Sequence, residues 1–313
     1  MNELLRDRIK YSPLAPIATL PLRARLAMPA ALRMCWRAMV WTVRSREFSE
    51  ISYDVEPEGL SSIAAAVATM TGVPHSEVLA YAAELLGDEA FRSRYAQRVQ
   101  STRLRYTCDT SVRYGKHVIQ YVIARSVRPR LVVEAGTLNG LGSLAICRAL
   151  QRNAVGGNPG SLVTVDVRTD RGEFLDGNEG GIVSRVIADS VDVVSAPGDP
   201  IDFFIHDTTS DAEHSARQFA ALERRLSDRC VVLTSWFTQP FIDFCERNDL
   251  AFVEIADRPA AHWYTGSRYG LGRVRGVQCF RDAGLAPARA SVRQSGAAQF
   301  ESRAADRTEQ GRR

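Results

Sequence analysis

The sequence predicts an α/β fold, a doubly wound Rossmann-like sheet of about seven strands with the last strand antiparallel, preceded by a helical N-terminal region. Apolar runs typical of buried parallel strands alternate with helical patterns from Leu131 onward. Several of these runs end in an acidic residue. A glycine-rich turn follows the first run, and the succession of strand, glycine turn and helix is typical of a nucleotide-binding βαβ unit.

The composition is that of a folded globular chain. Its 313 residues suffice for one large domain or two ordinary ones, and 45% of them are hydrophobic while 24% are charged. The net charge of +4 is modest. A nucleic-acid partner is therefore not expected from overall charge.

The cysteines indicate a reducing compartment. No two of them form a C-x-x-C pair, which argues against a disulfide framework and against structural zinc. No secretory signal follows the charged first ten residues. We therefore expect a cytoplasmic protein. The six cysteines are Cys35, Cys108, Cys147, Cys230, Cys245 and Cys279.

Residues 1–110 are expected to form a helical region that covers the site. Three prolines predict irregular structure over residues 1–25. A basic amphipathic helix is predicted from Pro29 to about Phe48. Such a helix can lie on the anionic inner surface of a membrane, or it can pack on the catalytic domain or on the partner subunit of a homodimer. Its apolar side chains at helical spacing are Leu32, Cys35, Trp36, Met39, Val40 and Val43.

Further helices are predicted over residues 61–70, 74–86 and 88–104, none with recognisable chemistry. A loop and a helix follow over residues 114–127. Tyr114, Lys116 and His117 at its start can reach a ligand, although His117 alone is more often structural.

The predicted strands after the first one place acids at one edge of the sheet. They cover Leu162–Asp166, Val183–Ile187 and Ile201–Asp207, then residues 230–235 and 251–255. The last strand is predicted at Val274–Phe280, after an aromatic loop from His262 to Gly272. The carboxyl ends of parallel strands meet at one edge, where ligands bind. The acids expected there are Glu134, Asp166, Asp189 and Asp207.

The glycine turn reads Glu134-Ala-Gly-Thr-Leu-Asn-Gly-Leu-Gly-Ser143. Its order, G-x-x-x-G-x-G, differs from the G-x-G-x-x-G of dinucleotide sites, and the preceding acid suits an amine-bearing ligand. This stretch resembles the first motif of the class I S-adenosylmethionine-dependent methyltransferases, especially their small-molecule O-methyltransferase branch. The resemblance implies a methyltransferase domain over residues 111–283, and the composition of residues 284–313 indicates a disordered tail.

The resemblance implies S-adenosylmethionine as the cofactor and a small-molecule acceptor, methylated on a hydroxyl group. Asp166 is expected to bind the ribose hydroxyls, and Asp189 either approaches the adenine or caps a helix. Asp207 is the first candidate for a role at the acceptor, with His214 and His262 as candidate bases. The expected cofactor-binding residues are Glu134, Gly136, Thr137, Gly140, Gly142, Ser143, Asp166, Asp189 and Asp207.

A divalent metal is conceivable but not favoured. Some relatives in this branch hold a cation with acids after the fourth and fifth strands, and Asp207 matches the first position. The fifth strand ends in Thr234-Ser235 instead of an acid. Asp211 can substitute as an oxygen ligand for Mg²⁺.

The sequence is also compatible with two other functions. An NAD(P)-dependent oxidoreductase shares acids at the strand ends, but the order of the glycines disfavours it. A non-catalytic Rossmann-like protein would dock through the basic N-terminal helix and bind no cofactor, or bind it without turnover.

Overall fold

The computed structural model describes residues 12–13, 15–47, 50–109, 111–175 and 179–275. Their centre is a seven-stranded sheet in the order β3-β2-β1-β4-β5-β7-β6. The first five strands are parallel, and β7 pairs antiparallel with β5 and β6. This confirms the predicted fold class. The strands are β1 Leu131–Ala135, β2 Ser161–Asp166, β3 Val183–Ile187, β4 Ile201–His206, β5 Leu226–Thr234, β6 Leu250–Ala256 and β7 Arg268–Val274.

Helices cover both faces of the sheet, because alternate residues of the central strands point to opposite faces. On β4, Phe203 joins the core under α3, α4, α6 and α7, whereas Phe204 joins the core under α9 and α10. The helices are α1 Ala15–Ala18, α2 Leu20–Arg44, α3 Pro57–Thr71, α4 His75–Leu86, α5 Glu89–Ser101, α6 His117–Val127, α7 Leu141–Val155, α8 Ser190–Ser195, α9 Ala212–Leu222 and α10 Gln239–Arg247.

The N-terminal helix begins earlier than predicted. Instead of irregular structure up to residue 25, α2 starts at Leu20 and ends at Arg44. Pro21 lies in the first turn, where its missing N–H has no partner to lose, and Pro29 lies inside the helix. The prediction that Pro21 breaks the helix was therefore wrong. None of the described helices has the length and apolar character to cross a bilayer.

The last strand also lies elsewhere than predicted. β7 covers Arg268–Val274, within and just after the expected aromatic loop, and residues 276–280 lie outside the described part of the chain. Gly270 and Gly272 belong to this strand because α10 packs against them. A Cβ atom at Gly270 would lie 2.5 Å from Cε1 of Phe241. Glycines that indicated a loop thus allow close packing of a strand on a helix.

Residues 50–56, named here the N-terminal strap, cross the carboxyl edge of the sheet. The amide of Gly115 donates to the carbonyl oxygen of Tyr53 at 2.9 Å, and the amide of Glu56 donates to the carbonyl oxygen of Arg258 at 2.7 Å. Val55 forms an isolated antiparallel bridge with Pro259. These contacts join the strap both to the start of α6 and to the loop after β6. The predicted division of the chain at residue 110 stays a prediction.

Candidate functional site

The chain turns sharply after β1. Gly136 has a φ of +101°, and a Cβ atom there would lie 2.2 Å from the carbonyl oxygen of Asp207. Leu138 also adopts the left-handed region, with φ +47°, which side chains other than glycine seldom do. The turn therefore brings the end of β1 directly against the end of β4.

Asp166, at the end of β2, holds this turn in place. Its Oδ2 accepts hydrogen bonds from the amides of Thr137 and Leu138, both at 3.2 Å, and its Oδ1 accepts from the amide of Arg168 at 3.0 Å. The carboxylate predicted to bind ribose thus lies beside the glycine turn. A carboxylate has about four lone-pair sites, so it retains capacity for a ligand hydroxyl.

Glu134 lies beneath the turn and is 2% exposed. Its Oε2 accepts hydrogen bonds from the hydroxyl groups of Ser143 and of Thr164, the latter at 2.7 Å. Burial raises the pKa of Glu134 to about 7, although both hydroxyl hydrogen bonds act in the opposite direction. A cation bound nearby would favour its ionised form.

The remaining predicted cofactor residues occupy the turn and the start of α7. Gly140 is the N-cap residue of α7 with φ +95°, and Thr137 shares a 2.7 Å hydrogen bond with the hydroxyl of Thr164. Gly142 faces α6, since a Cβ atom there would lie 2.8 Å from Oε1 of Gln120 and 2.9 Å from Oε1 of Glu134. Glycine at 142 therefore keeps two helices close.

Asp207 follows β4 and pairs with Lys116, which precedes α6. Nζ of Lys116 donates to Oδ2 of Asp207 at 2.5 Å. The two side chains are 28% and 13% exposed. Burial alone would lower the pKa of Lys116, but the Asp207 carboxylate next to it raises the pKa above its ordinary value. Lys116 is therefore a fixed positive charge, and no described residue donates a hydrogen bond to Oδ1 of Asp207.

His117 and Glu50 form a second pair. Nε2 of His117 lies 3.2 Å from Oε1 of Glu50, and its Nδ1 lies 3.0 Å from Oε1 of Gln120. Nδ2 of Asn139 in the glycine turn donates to Oε2 of Glu50 at 3.0 Å. Burial alone would raise the pKa of Glu50, but the hydrogen bond and charge of His117, with the charge of Lys116, lower it. The strap thus contributes an ionised carboxylate to the glycine turn.

A cavity of about 280 Å³ lies over these pairs, between the strap and the carboxyl ends of β1, β4 and β5. This is where ligands bind in open α/β sheets. Its charged and aromatic lining comprises Glu47, Glu50, Tyr53, Tyr95, Asp109, Arg113, Tyr114, Lys116, His117, Asp207, Trp236, Tyr264 and Tyr269.

Two tyrosines on one side of the cavity share a buried carboxylate. The hydroxyl of Tyr53 donates to Oδ2 of Asp257, and that of Tyr269 donates to the same oxygen at 3.1 Å. Burial, with the neighbouring Tyr269 and Asp257, raises the pKa of Tyr53 far above its ordinary value. Both phenols therefore remain protonated hydrogen-bond donors.

Neither of the two predicted histidine bases belongs to the lining of this cavity, although the His262 ring lies 6.0 Å from the ring of Tyr53. His214 lies in the first turn of α9, where its amide donates to the N-cap side chain of Asp211 at 2.7 Å. His262 is buried between Trp41 and Trp263 and lines a second cavity of about 520 Å³. Burial, with the charges of two nearby arginines, lowers the pKa of His262.

Asp189 adopts one of its two predicted roles. Its Oδ1 accepts from the amide of Val191 at 2.8 Å and caps α8. His206, the other histidine near a strand end, lies under α9 with its Nε2 3.1 Å from the Ser215 hydroxyl. Its pKa is lowered by burial.

Sequence reasoning missed Glu50, Tyr53 and Asp257. Glu50 and His117 are 67 residues apart, and Tyr53 and Asp257 are 204 apart. No motif spans such distances. The only available signal was the expectation that the N-terminal region covers the site.

Residues 133–234 match the sequence model of a family described as "Methyltransferase domain". No curated protein matches the chain.

Among solved structures, an O-methyltransferase from Bacillus cereus in complex with SAH is 14% identical to this chain. The match covers 58% of this chain and 91% of that one, with a TM-score of 0.46. The O-methyltransferase TomG from Streptomyces achromogenes, involved in tomaymycin synthesis and in complex with SAM, is 19% identical, with 59% and 90% covered and a TM-score of 0.43. A methyltransferase from Geobacter sulfurreducens is 19% identical, with 58% and 90% covered and a TM-score of 0.43.

Proposed function

We infer that this chain is a class I methyltransferase that transfers the methyl group of S-adenosylmethionine to a hydroxyl group of a small molecule. The observation that carries the proposal is the position of the family match. It begins in β1 and ends with β5, and so contains the glycine turn, Asp166 and Asp207. Leu138 of this turn and Asp207 line the 280 Å³ cavity, and Asp166 holds the turn from the other side.

The chain's own residues fit this cofactor. Glycine at 136 lets the turn pack directly against the backbone of Asp207, which joins the glycine turn to the proposed base. Glu134 is a buried acid that gains from a nearby cation, as an amino acid group would supply. Asp166 offers carboxylate oxygens for two neighbouring hydroxyl groups. We assign Glu134 and Gly136 to the methionine end and Asp166 to the ribose.

When bound, S-adenosylmethionine supplies a methyl group on a positively charged sulfur. The protein must orient the acceptor hydroxyl toward that methyl group and remove its proton. Oδ1 of Asp207 is our proposed proton acceptor, because Lys116 occupies Oδ2 and fixes the carboxylate. Asp207 would take the hydroxyl proton while the acceptor oxygen received the methyl group from the sulfur, which would leave as the neutral thioether of S-adenosylhomocysteine. His214 and His262, the bases expected from the sequence, do not belong to the lining of this cavity, so we prefer Asp207 for the role.

The tyrosines of the cavity wall position the acceptor. Tyr53 and Tyr269 share Asp257 and present rigid aromatic surfaces beside it. Together with Trp236 they suit a compact acceptor that carries a ring and a hydroxyl group. The strap closes the cavity from above and limits access of water to the reacting groups.

Lys116 supports transfer without a divalent cation. Its ammonium group lies 2.5 Å from the oxygen of Asp207, on the carboxylate expected to begin a metal site. Asp211, the substitute ligand considered from sequence, caps α9. A positive charge built into the chain can therefore hold Asp207 in place of a metal.

Calorimetric titration with S-adenosylmethionine, S-adenosylhomocysteine and NAD⁺ tests the proposal. We expect the two sulfur ligands to bind and NAD⁺ not to bind. Tight NAD⁺ binding would favour an oxidoreductase, and no binding of any of the three would favour a non-catalytic protein. Incubating a panel of phenols and sugars with the protein and radiolabelled cofactor then identifies the class of acceptor. If the cofactor binds but no compound of the panel becomes labelled, O-methylation of this class of acceptor is contradicted.

The proposal includes a cytoplasmic location and no nucleic-acid partner. The described cysteines Cys35, Cys108, Cys147, Cys230 and Cys245 are all free thiols, which suits a reducing compartment. Burial raises the pKa of Cys108, in the cavity wall, to about 12, so that thiol is protonated. The homodimer expected as an alternative from the sequence stays a prediction.

A further inference from the structure

Helix α2 turns its apolar side away from the rest of the chain. Met28, Leu32, Trp36, Met39 and Val43 follow one another at helical spacing and are between 50% and 80% exposed. No residue of α2 is buried among the described residues. This apolar face would be unfavourable in water unless something covers it.

The opposite side of the helix faces the protein. Arg37, Val40 and Trp41 are half-buried and line the second cavity, across from Trp263. The rings of Trp41 and Trp263 lie 5.1 Å apart. The helix is thus attached to the body along this side, which fixes the direction in which the apolar face points.

The end of α2 is held by hydrogen bonds as well. Asp109 accepts from the hydroxyl of Ser45 and from the amide of Arg46, both at 3.0 Å. Asp109 also lines the 280 Å³ cavity. The anchored end of the helix therefore lies at the rim of the proposed active site.

The charges of this segment have one sign. Residues 12–46 contain six arginines and no aspartate or glutamate. In the described part of the chain, no ion pair involves Arg25, Arg33 or Arg44, which are exposed. These guanidinium groups are available to an anionic surface. Two copies of the helix packed face to face would instead bring like charges together.

From these features we propose that α2 docks the protein on an anionic phospholipid bilayer, with its axis in the plane of the interface. The apolar face enters the boundary between headgroups and acyl chains, Trp36 lies at that boundary, and the arginines along its flanks contact lipid phosphates. The helix lies on the membrane and does not cross it. Docking places the rim of the cavity next to the membrane surface.

Flotation of the full-length protein with vesicles tests the proposal, without cofactor or acceptor, so the result is independent of methyl transfer. Vesicles of phosphatidylcholine containing about a third phosphatidylglycerol are compared with pure phosphatidylcholine, at low and at high salt. We expect binding to the anionic vesicles only, weakened by salt because the attraction is partly electrostatic.

Two matched pairs of variants locate the contact. Leu32→Glu should weaken vesicle binding at least tenfold, while Val155→Glu, at a site 90% exposed outside α2, should not. Arg33→Glu should weaken it about tenfold and Arg217→Glu, on the exposed side of α9, should leave it unchanged. Circular dichroism verifies that each variant is folded.

Three outcomes would overturn the proposal. The first is absence of binding to anionic vesicles at low salt. The second is an equal effect of each α2 variant and its control. The third is a dimer, seen by light scattering, that Leu32→Glu dissociates while vesicles bind no protein, since the face would then be covered by a second copy.

Discussion

Replacing Glu134 by glutamine should change the stability of the ligand-free protein in a pH-dependent way. Glu134 is buried, and its pKa is about 7 in the folded protein against an ordinary 4.5. At about 1.36 kcal/mol per pKa unit, this difference corresponds to roughly 3 kcal/mol that the folded state loses when the carboxyl group ionises.

The sign follows from which state releases its proton first. Below about pH 4.5 the carboxyl group is protonated in both states and costs nothing. As the pH rises from 4.5 to 7, the unfolded chain ionises while the folded one does not, so the free energy of unfolding falls. Above about pH 7 both states are ionised and the full cost remains. Glutamine does not ionise, so the variant Glu134→Gln should be stabilised most, relative to the unsubstituted protein, above pH 7.

Urea unfolding of both proteins at about pH 5 and about pH 8 measures the effect. Between these pH values, we expect the free energy of unfolding of Glu134→Gln to rise by roughly 2 to 3 kcal/mol relative to that of the unsubstituted protein. The variant should also bind S-adenosylmethionine more weakly. Glu213→Gln, on the exposed side of α9, is the matched control and should show no such gain. A stability difference that is the same at both pH values would refute the reasoning about Glu134.

Further predictions concern the cavity and the turn. Asp207→Asn should lower kcat about a hundredfold or more and leave the affinity for the cofactor nearly unchanged. The control Asp228→Asn, at an exposed position, should be fully active. Equal kcat values in the two variants would exclude Asp207 as the base. Gly136→Ala should destabilise the fold by more than about 1 kcal/mol in urea because φ is positive, and an unchanged midpoint would contradict this. EDTA should not lower the activity, since the ammonium group of Lys116 supplies the positive charge next to Asp207. Inactivation by EDTA that Mg²⁺ reverses would show that a divalent metal is required. Tyr53→Phe should raise KM for the acceptor more than it lowers kcat, and an unchanged KM would remove it from the acceptor site.

The central strands were predictable because each is a short apolar run that ends in a polar residue. Val132, Val133 and Ile201–Ile205 are buried from both faces, so burial leaves a continuous signal in the sequence. The glycine turn was predictable for a similar reason, since its positive φ values require glycine at Gly136 and Gly140.

Errors arose where tertiary packing decides the local structure. Pro21 reads as a helix breaker, but in the first turn of α2 it is tolerated. Gly270 reads as a loop residue, yet it lies in β7 because Phe241 fills the space of its missing side chain. Neither circumstance is visible in the neighbouring residues.

The proposed site was predictable only on the side formed by the sheet. Asp207 follows its own strand and was a candidate from the outset, while His262 was selected by residue type and lies in another cavity. Glu50 and Tyr53 reach the site because the strap crosses it, and the strap has no hydrophobic pattern typical of a helix or a strand. Their partners are far away in the chain, so a single sequence gives no pattern to find them.

The strap and the glycine turn are joined by Glu50, whose carboxylate bonds to both His117 and Asn139. The strap lies outside the family match of residues 133–234. In the proposed assignment, the residues given to the cofactor lie inside the match, whereas Tyr53 of the acceptor wall lies outside it. Exchanging residues 50–56 while keeping Glu50 would therefore test whether the strap selects the acceptor without disturbing the glycine turn.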